Sequence, residues 1–450
     1  MSKFVNVDGP PQEIEGISKA LVSRRDVLTQ SAAVLASAAA LASGSASAVA
    51  KTVEHPASGT PRYFQAFVRF GTTGSMRKLK AHPLGPREVL LRNEASHLCY
   101  ASSADILGAR DFAEATIPGH GGVGVVEQIG TMVKRVQIGD RVVVTGPQCG
   151  ECYNCLQGRA DRCSMGGGAE RPHPIAQMED GTPVVASFLK GGFAEVIITN
   201  EEFCVPVFTQ ASPAELAVLH DVGVVGLATT MTVSPVEVGS DVVVLGAGPL
   251  GLSAVQGARI KGAAQIIVVE PIQYRRELAL KMGATVALDP NAEGTGLVEK
   301  IRQLCAGKSD RKLAGGGKSG ADFVIEAVGG DHRPPKAGAG PDPTGILPLQ
   351  QAWQMCSAAG HIFTTGVGHP ADSVVSFPAT QWTISSKTHH SGNFAGANVK
   401  RDVPRYVRLI EAGLFDAKSL VGTTYSLEQI HDAAQSAADR TTITALLLFS

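Results

Sequence analysis

A chain of 450 residues, 44% hydrophobic and with a formal charge of -1, is long enough for two domains with a large buried core. Its 40 basic side chains are balanced by 41 acidic ones, which leaves no basic excess for nucleic acid as a partner.

The first element in chain order is a leader. Arg24 and Arg25 precede a weakly apolar, alanine-rich run over residues 31–41, and Ala46, Ala48 and Ala50 then offer A-x-A cleavage points. This pattern predicts a twin-arginine export signal over residues 1–50, a mature chain starting near Lys51, and a periplasmic or secreted location. The run is too short and too alanine-rich to span a bilayer, so no stable membrane span is expected in the mature chain. Against export, the first 26 residues balance four basic side chains with four acidic ones, and the alternative is an extension kept in the cytoplasm.

Residues 60–221 carry short β-rich runs such as GPREVLLRNEA, GVGVVEQIG and GDRVVVTG, with Gly and Pro at the turns, and predict a β-barrel-like domain. Within it, Cys149, Cys152, Cys155 and Cys163 in CGECYNCLQGRADRC have the spacing of a closed tetrahedral thiolate site, a structural zinc that braces a lobe and does no chemistry. An iron–sulfur cluster or two disulfides are the alternatives. The x7 interval before Cys163, with no Pro after it, departs from the ferredoxin pattern.

From Asp241 the period changes, and apolar strands alternate with helices: VVVLG, the helix from Pro249 into Ile260, QIIVVE, RRELALKMG, ADFVIEAVG and HIFTTGVG. The alternation predicts a doubly wound parallel sheet. Gly246, Gly248 and Gly251 form G-x-G-x-x-G after a strand and at a helix start, where backbone amides approach a pyrophosphate. Glu270 closes the next strand, placed to accept hydrogen bonds from ribose hydroxyls and to repel a 2′-phosphate, which favours NAD over NADP. Arg275 and Arg276 lie nearby and either oppose that preference as cofactor contacts or are solvated helix residues. Two Gly/Pro/Lys-rich stretches, 307–320 and 329–345, predict surface loops, and residues 427–438 and TALLLF predict a last helix and strand.

The four-Cys loop and the glycine turn, with Cys99 in NEASHLCY and His120 in PGHGGVGVVEQIG upstream, resemble the zinc-containing medium-chain alcohol dehydrogenases from about residue 60 to the end. The resemblance implies an α/β chain: a GroES-like β-barrel catalytic domain over 51–221 and 387–450, around a Rossmann NAD-binding domain over 222–386. It further implies a catalytic zinc on Cys99, His120 and Asp221, where most members carry Cys at the third position, with His220 as a possible substitute ligand. The activity implied is hydride transfer between an alcohol or hydrated aldehyde and NAD(H), in a homodimer or homotetramer. Asp at the third position and the insertion GGDHRPPKAGAGPDPTGIL are similar to the glutathione-independent formaldehyde dehydrogenases and formaldehyde dismutases, a subgroup known for holding its cofactor tightly.

Departures from the family pattern are informative. Gly121 and Ser102 stand where carboxylates orient the zinc ligands, with Asp105 a substitute for the lost carboxylate. Ala101 stands at the position of the proton-relay hydroxyl, which leaves Ser102 or Ser103, on a shifted backbone, to pass the proton to solvent; Ser103 is the choice, with a surface or packing serine as the alternative. Tyr100 and Thr444 stand where basic residues reach the pyrophosphate. These losses keep a catalytically silent zinc-stabilised homologue open as an alternative, and a polyol dehydrogenase shares the fold.

Overall fold

The computed structural model describes residues 62–108, 110–164, 173–306, 320–331 and 333–450. The leader with Arg24 and Arg25 and most of the loop expected over 307–320 lie outside the described residues.

The first half of the chain is built from short strands: β1 (Tyr63–Gly71), β2 (Thr73–Ala81), β3 (Glu88–Leu98), β4 (Phe112–Ile117), β5 (Gly122–Ile129), β6 (Arg141–Val144), β7 (Ala176–Gln177), β8 (Pro183–Ala186), β9 (Val196–Asn200) and β10 (Cys204–Pro206). Strands β1, β2, β7, β8 and β4 close into a barrel. Its interior is apolar, with Phe64, Ala66, Val68, Leu79, Ile117 and Val184 packed together. Beside it, β10, β6, β5 and β3 run on into the two C-terminal strands of the chain. Val89, Leu90, Leu91, Arg92 and Ala95 of β3 pair with strands on both edges, and the burial pattern of β3 is almost continuous rather than alternating.

The middle of the chain folds into β11 (Asp241–Leu245), β12 (Gln265–Val269), β13 (Val286–Leu288), β14 (Ala321–Glu326), β15 (Cys356–Thr364) and β16 (Thr388–His390), all parallel, in the order β13-β12-β11-β14-β15-β16. This is the strand order of a dinucleotide-binding sheet, and the expected doubly wound arrangement is present. Alternate residues of β11 serve opposite faces: Val242 and Val244 join the core under the helix Pro249–Ile260, while Val243 and Leu245 face Leu297, Ile301 and Trp353 on the other side.

Two strands escape the sequence pattern. β13 and β16 are three residues each, too short to show a period, and β16 reads THH without an apolar run. Because β16 still pairs with β15, the chain leaves this sheet after His390 rather than at residue 387. It then returns through the helix Ile430–Ala438, β17 (Thr423–Tyr425) before it and β18 (Ala445–Leu448) after it, with β18 antiparallel to β3.

Between the two halves, the helices Pro213–Leu219 and Val222–Met231 meet at a 53° bend. Among the described residues no single helix is long and apolar enough to cross a membrane. The helix Val222–Met231 lies so close to Pro249–Ile260 that a Cβ on Gly226 would sit 2.3 Å from the Leu250 carbonyl oxygen. Gly226→Val should therefore separate the two helices and cost about 1–3 kcal/mol, read as a lower urea midpoint with an unchanged slope.

Candidate active site

A continuous cleft of about 940 Å³ runs from the glycine turn of the parallel sheet to the β-rich half. At the sheet end, Gly246 takes φ +91°, and a Cβ on Gly251 would lie 1.9 Å from the Gly246 carbonyl oxygen, so the turn admits only glycine at the third position. A Cβ on Gly248 would meet nothing within 4 Å and would project into open cleft. That space lies at the N-cap of the twelve-residue helix Pro249–Ile260, whose free amides suit a pyrophosphate. The glycine run thus fits a dinucleotide by shape.

Glu270 is buried at the cleft wall, and its carboxylate accepts from the amides of Ala247 at 2.7 Å and Ile272 at 3.0 Å. Carboxylate oxygens have further lone pairs, so this anchoring leaves room for ribose hydroxyls. Arg276 is not a solvated helix residue: its guanidinium donates to the Glu270 and Pro271 carbonyls and pairs with Asp289 at 3.1 Å. Arg275 is buried too, lines the cleft and donates to Tyr274 Oη at 3.0 Å and more weakly to the Thr442 carbonyl. Tyr100 and Thr444 both line the cleft, and the positive charge expected near them comes instead from Arg440. Its guanidinium lies 5.2 Å from the Tyr100 ring centroid and pairs with Asp331 of the insertion.

At the other end, Cys99, His120 and Asp221 converge, with their ligand atoms all within 4.8 Å of one another. Each comes from the end of an element. Cys99 follows β3 as the N-cap of the helix Tyr100–Ile106, His120 sits in the turn between β4 and β5, and Asp221 occupies the bend between Leu219 and Val222. An Asp at a helix N-cap ordinarily accepts from the helix amides. Asp221 makes no such bond, and its Oδ2 lies 3.7 Å from His120 Nδ1, which is 3.4 Å from Cys99 Sγ. Burial alone would lower the basicity of His120, but the Cys99 and Asp221 charges push its pKa up to about 10. Burial favours protonated Asp221, yet the contact with His120 holds its carboxyl well below the usual range. One soft sulfur, one imidazole and one carboxylate around a shared point fit a zinc ion with one position left for substrate.

The lost orienting carboxylates have different replacements from those expected. Gly121 has φ +113°, and a Cβ there would lie 2.4 Å from the Val144 carbonyl oxygen, so no Glu fits without moving β6. Ser102 Oγ lies 3.5 Å from Cys99 Sγ, and buried His97 presents Nδ1 at 3.9 Å from Asp221 Oδ2. Asp105 does not replace the missing carboxylate, because it pairs with Arg110 at 3.1 Å. Ser103 is not a proton relay: its hydroxyl donates to the Tyr100 carbonyl at 2.6 Å, one helical turn back, and the residue is buried away from the cleft. His220 does not join the ligand group, since its Nε2 accepts from the His97 amide at 3.3 Å inside the core. Residues that the motifs did not reveal also line this end, among them Phe188, Lys190 and Phe394 from irregular loops.

The four cysteines of the second cluster are all free thiols, and their sulfurs also lie within 4.8 Å of one another. Cys149 and Cys155 sulfurs are 4.0 Å apart, close to the edge of about 3.8 Å of a tetrahedron with bonds of about 2.3 Å. The Cys152 amide donates to Cys149 Sγ and the Cys155 amide to Cys152 Sγ. Amides of Ser164 and Cys155 push the Cys152 thiol down to about 5, which favours the thiolate that binds metal. The donor set fits a structural zinc. Cys204, Cys305 and Cys356 are buried apart from both clusters.

Comparison with known proteins agrees with this geometry. Residues 85–209 match the alcohol dehydrogenase GroES-like domain, and residues 249–334 match the zinc-binding dehydrogenases. The chain is 31% identical over 375 residues to an NDMA-dependent alcohol dehydrogenase of Amycolatopsis methanolica, covering 81% of this chain and 93% of that one. It is 31% identical over 378 residues to a geraniol dehydrogenase of Castellaniella defragrans, with 80% and 91% covered. The solved structure of an alcohol dehydrogenase zinc-binding domain protein from Burkholderia ambifaria superposes with a TM-score of 0.75 at 26% identity, over 87% of this chain and 100% of that one.

Elemental analysis of the purified protein should find about two zinc ions per chain. Asp221→Ala should lose about one and Cys155→Ser about one, the second also lowering thermal stability because it removes a brace rather than a reaction site. Unchanged zinc in Asp221→Ala would remove Asp221 from the ligand set.

Proposed function

The chain belongs to the zinc-type medium-chain alcohol dehydrogenases, and from that premise we propose that it transfers hydride between an alcohol, or a hydrated aldehyde, and a nicotinamide cofactor. The observation that carries this reading is the single cleft that contains both the Cys99, His120 and Asp221 group and the glycine turn. Zinc held by those three side chains supplies a Lewis acid that lowers the pKa of a substrate hydroxyl. The chain itself does the rest. Gly246, Gly248 and the helix amides hold the pyrophosphate, Glu270 engages the ribose and favours NAD, and Phe188, Leu189 and Phe394 wall the reacting end with apolar surface. Ser102 and His97, beside Cys99 and Asp221, orient the ligands in place of the absent carboxylates, which removes the main reason for a silent homologue.

A finer part of the proposal is that the cofactor stays bound between turnovers, as in the formaldehyde dehydrogenase and dismutase subgroup. The insertion after β14 supports it. Asp331 pairs with Arg440, Lys336 with Asp439 at 2.6 Å, the Ala337 amide donates to the Asp439 carbonyl, and Arg333 donates to the Leu107 carbonyl beside the Cys99 helix. Asp331, Gly340, Pro341 and Asp342 of the same insertion line the cleft. This strap ties the loop of the parallel sheet to the C-terminal and Cys99 segments across the dinucleotide end. One relative is named for dependence on NDMA, which fits a dehydrogenase whose nicotinamide is regenerated in place. Export through the twin-arginine route suits such an enzyme, because that route carries folded proteins with their cofactor, and we place the mature protein in the periplasm or outside the cell. Assembly as a homodimer or homotetramer belongs to the same reading.

Protein purified without added cofactor and then denatured should release close to one NAD(H) per chain. No nucleotide, together with weak reversible NAD binding, would replace the bound-cofactor reading with an exchangeable one. Replacing Arg24 and Arg25 together by Lys should retain the protein in the cytoplasm, and export equal to the unaltered chain would reject the twin-arginine signal.

A further inference from the structure

Alcohol oxidation releases a proton as well as a hydride, and the serine expected to carry that proton is turned into its own helix. Ala101, at the position of the relay hydroxyl, lines the cleft with a methyl group. The reacting end of the cleft is instead shaped by two loops in which non-glycine residues adopt left-handed backbone: Phe188 and Leu189 at φ 53° and 59°, and Phe394 and Ala395 at φ 51° and 48°. Such positions are strained and cluster where function requires a fixed side chain. What they fix here is Lys190. Its amide bonds to the Ser187 carbonyl at 3.0 Å, and the next residue, Gly191, bridges to the backbone of His120 and accepts from the Gly121 amide at 2.6 Å.

The Lys190 side chain is 5% exposed and lines the cleft, with Nζ 5.7 Å from the Phe203 ring centroid and 5.6 Å from that of Phe394. Among the described residues no side-chain hydrogen bond or ion pair holds its nitrogen, which lies between two aromatic faces at the cleft wall and is open to the cleft. The titratable groups that act on it are Asp221, which favours the ammonium, and His220, which burial keeps neutral by lowering its pKa to about 3. The aromatic faces give an ammonium some support, but burial outweighs both and lowers Lys190 to about 8. An amine that ends at the cleft wall without a fixed partner is free to meet a ligand hydroxyl there.

We propose that Lys190 is a catalytic base: its neutral amine takes the hydroxyl proton of the alcohol while the hydrogen on carbon leaves as hydride. The O–H bond breaks and an N–H bond forms, giving the ammonium. The C–H electron pair passes with its hydrogen to NAD⁺, which is reduced to NADH, and the carbonyl forms. The ammonium then loses its proton to cleft water, and aldehyde reduction runs the same steps backwards. The assignment rests on the oxidoreductase reading above.

The test uses the full-length holoenzyme with benzyl alcohol as probe, comparing unaltered protein, Lys190→Gln and Lys190→Arg in single-turnover hydride transfer across pH. A neutral amine is the active form, so the rate in the unaltered protein should rise with pH through about 8. Lys190→Gln should lose about 10²–10⁴-fold and the rise itself, and added ethylamine should restore part of the rate. A Lys190→Gln enzyme that keeps the rate and pH profile overturns the proposal and leaves the oxidoreductase reading intact. A change in KM alone also overturns it, making Lys190 an anchor for anionic substrates. Competitive acetylation read by mass spectrometry gives an arm that needs no turnover: Lys190 should acquire reactivity near pH 8, and titration with the surface lysines above about 10 overturns the proposal. If Lys190 titrates near 8 but the unaltered holoenzyme oxidises no alcohol, the oxidoreductase reading fails and takes the proposal with it.

Discussion

Hydrogen bonding along β3 is the constraint on which the rest of the site depends. One edge of the strand pairs with β5, and the other is shared, with residues 88–92 against β9 and 95–98 against β18. The last few residues of the chain therefore clamp the strand just where it delivers Cys99. The same strand governs the opposite wall of the cleft, because buried Asn93 donates to the carbonyls of Gly192 and Ala194 at 2.9 Å each and so holds the loop that follows Lys190. The Cys99 thiol and the Lys190 amine, from segments about ninety residues apart, are registered to one backbone ladder, and an error in strand register would displace both.

What could be read in the sequence was what is local. The four-Cys spacing and the glycine turn each lie within one short segment, and their chemistry follows from residue type and interval. The α/β architecture with its parallel sheet was legible for the same reason, since the strands of that sheet that carry an apolar run announce themselves. Cys99, His120 and Asp221 are separated by long intervals, and only resemblance to a family brought them together before the structure did. The misassignments share a physical cause. Ser103 and Asp105 were placed by residue type, but a helix directs each side chain, and one turns to a carbonyl of the preceding turn while the other meets Arg110. Lys190 and Phe394 left no signal, because they stand in irregular loops where left-handed backbone falls on Phe188, Leu189, Phe394 and Ala395 as well as on glycines.

Buried carboxylates held by backbone amides recur around the cleft. Glu326, at the end of β14, accepts from the amides of Val328 and Gly329 and, across the sheet, from Gly366, at 2.7 Å, 3.1 Å and 3.2 Å. Burial raises its pKa, and those amides oppose the shift. The loops that follow β14 and β15 are thus tied to one carboxylate. Asp221, Glu270 and Glu326 all have carboxylates fixed by their neighbours, so the cleft keeps its shape through polar anchors set into an otherwise apolar wall, where such bonds are strongest.

The strap over the dinucleotide end has unequal fasteners. Arg440 and Asp331 are both shielded, at 13% and 8% side-chain exposure, whereas Lys336 is 73% exposed beside Asp439. Mobile ions screen the outer pair and hardly reach the inner one. The strap therefore has a salt-sensitive hem and a salt-insensitive pin: as ionic strength rises, the edge loosens while the grip nearest Tyr100 does not.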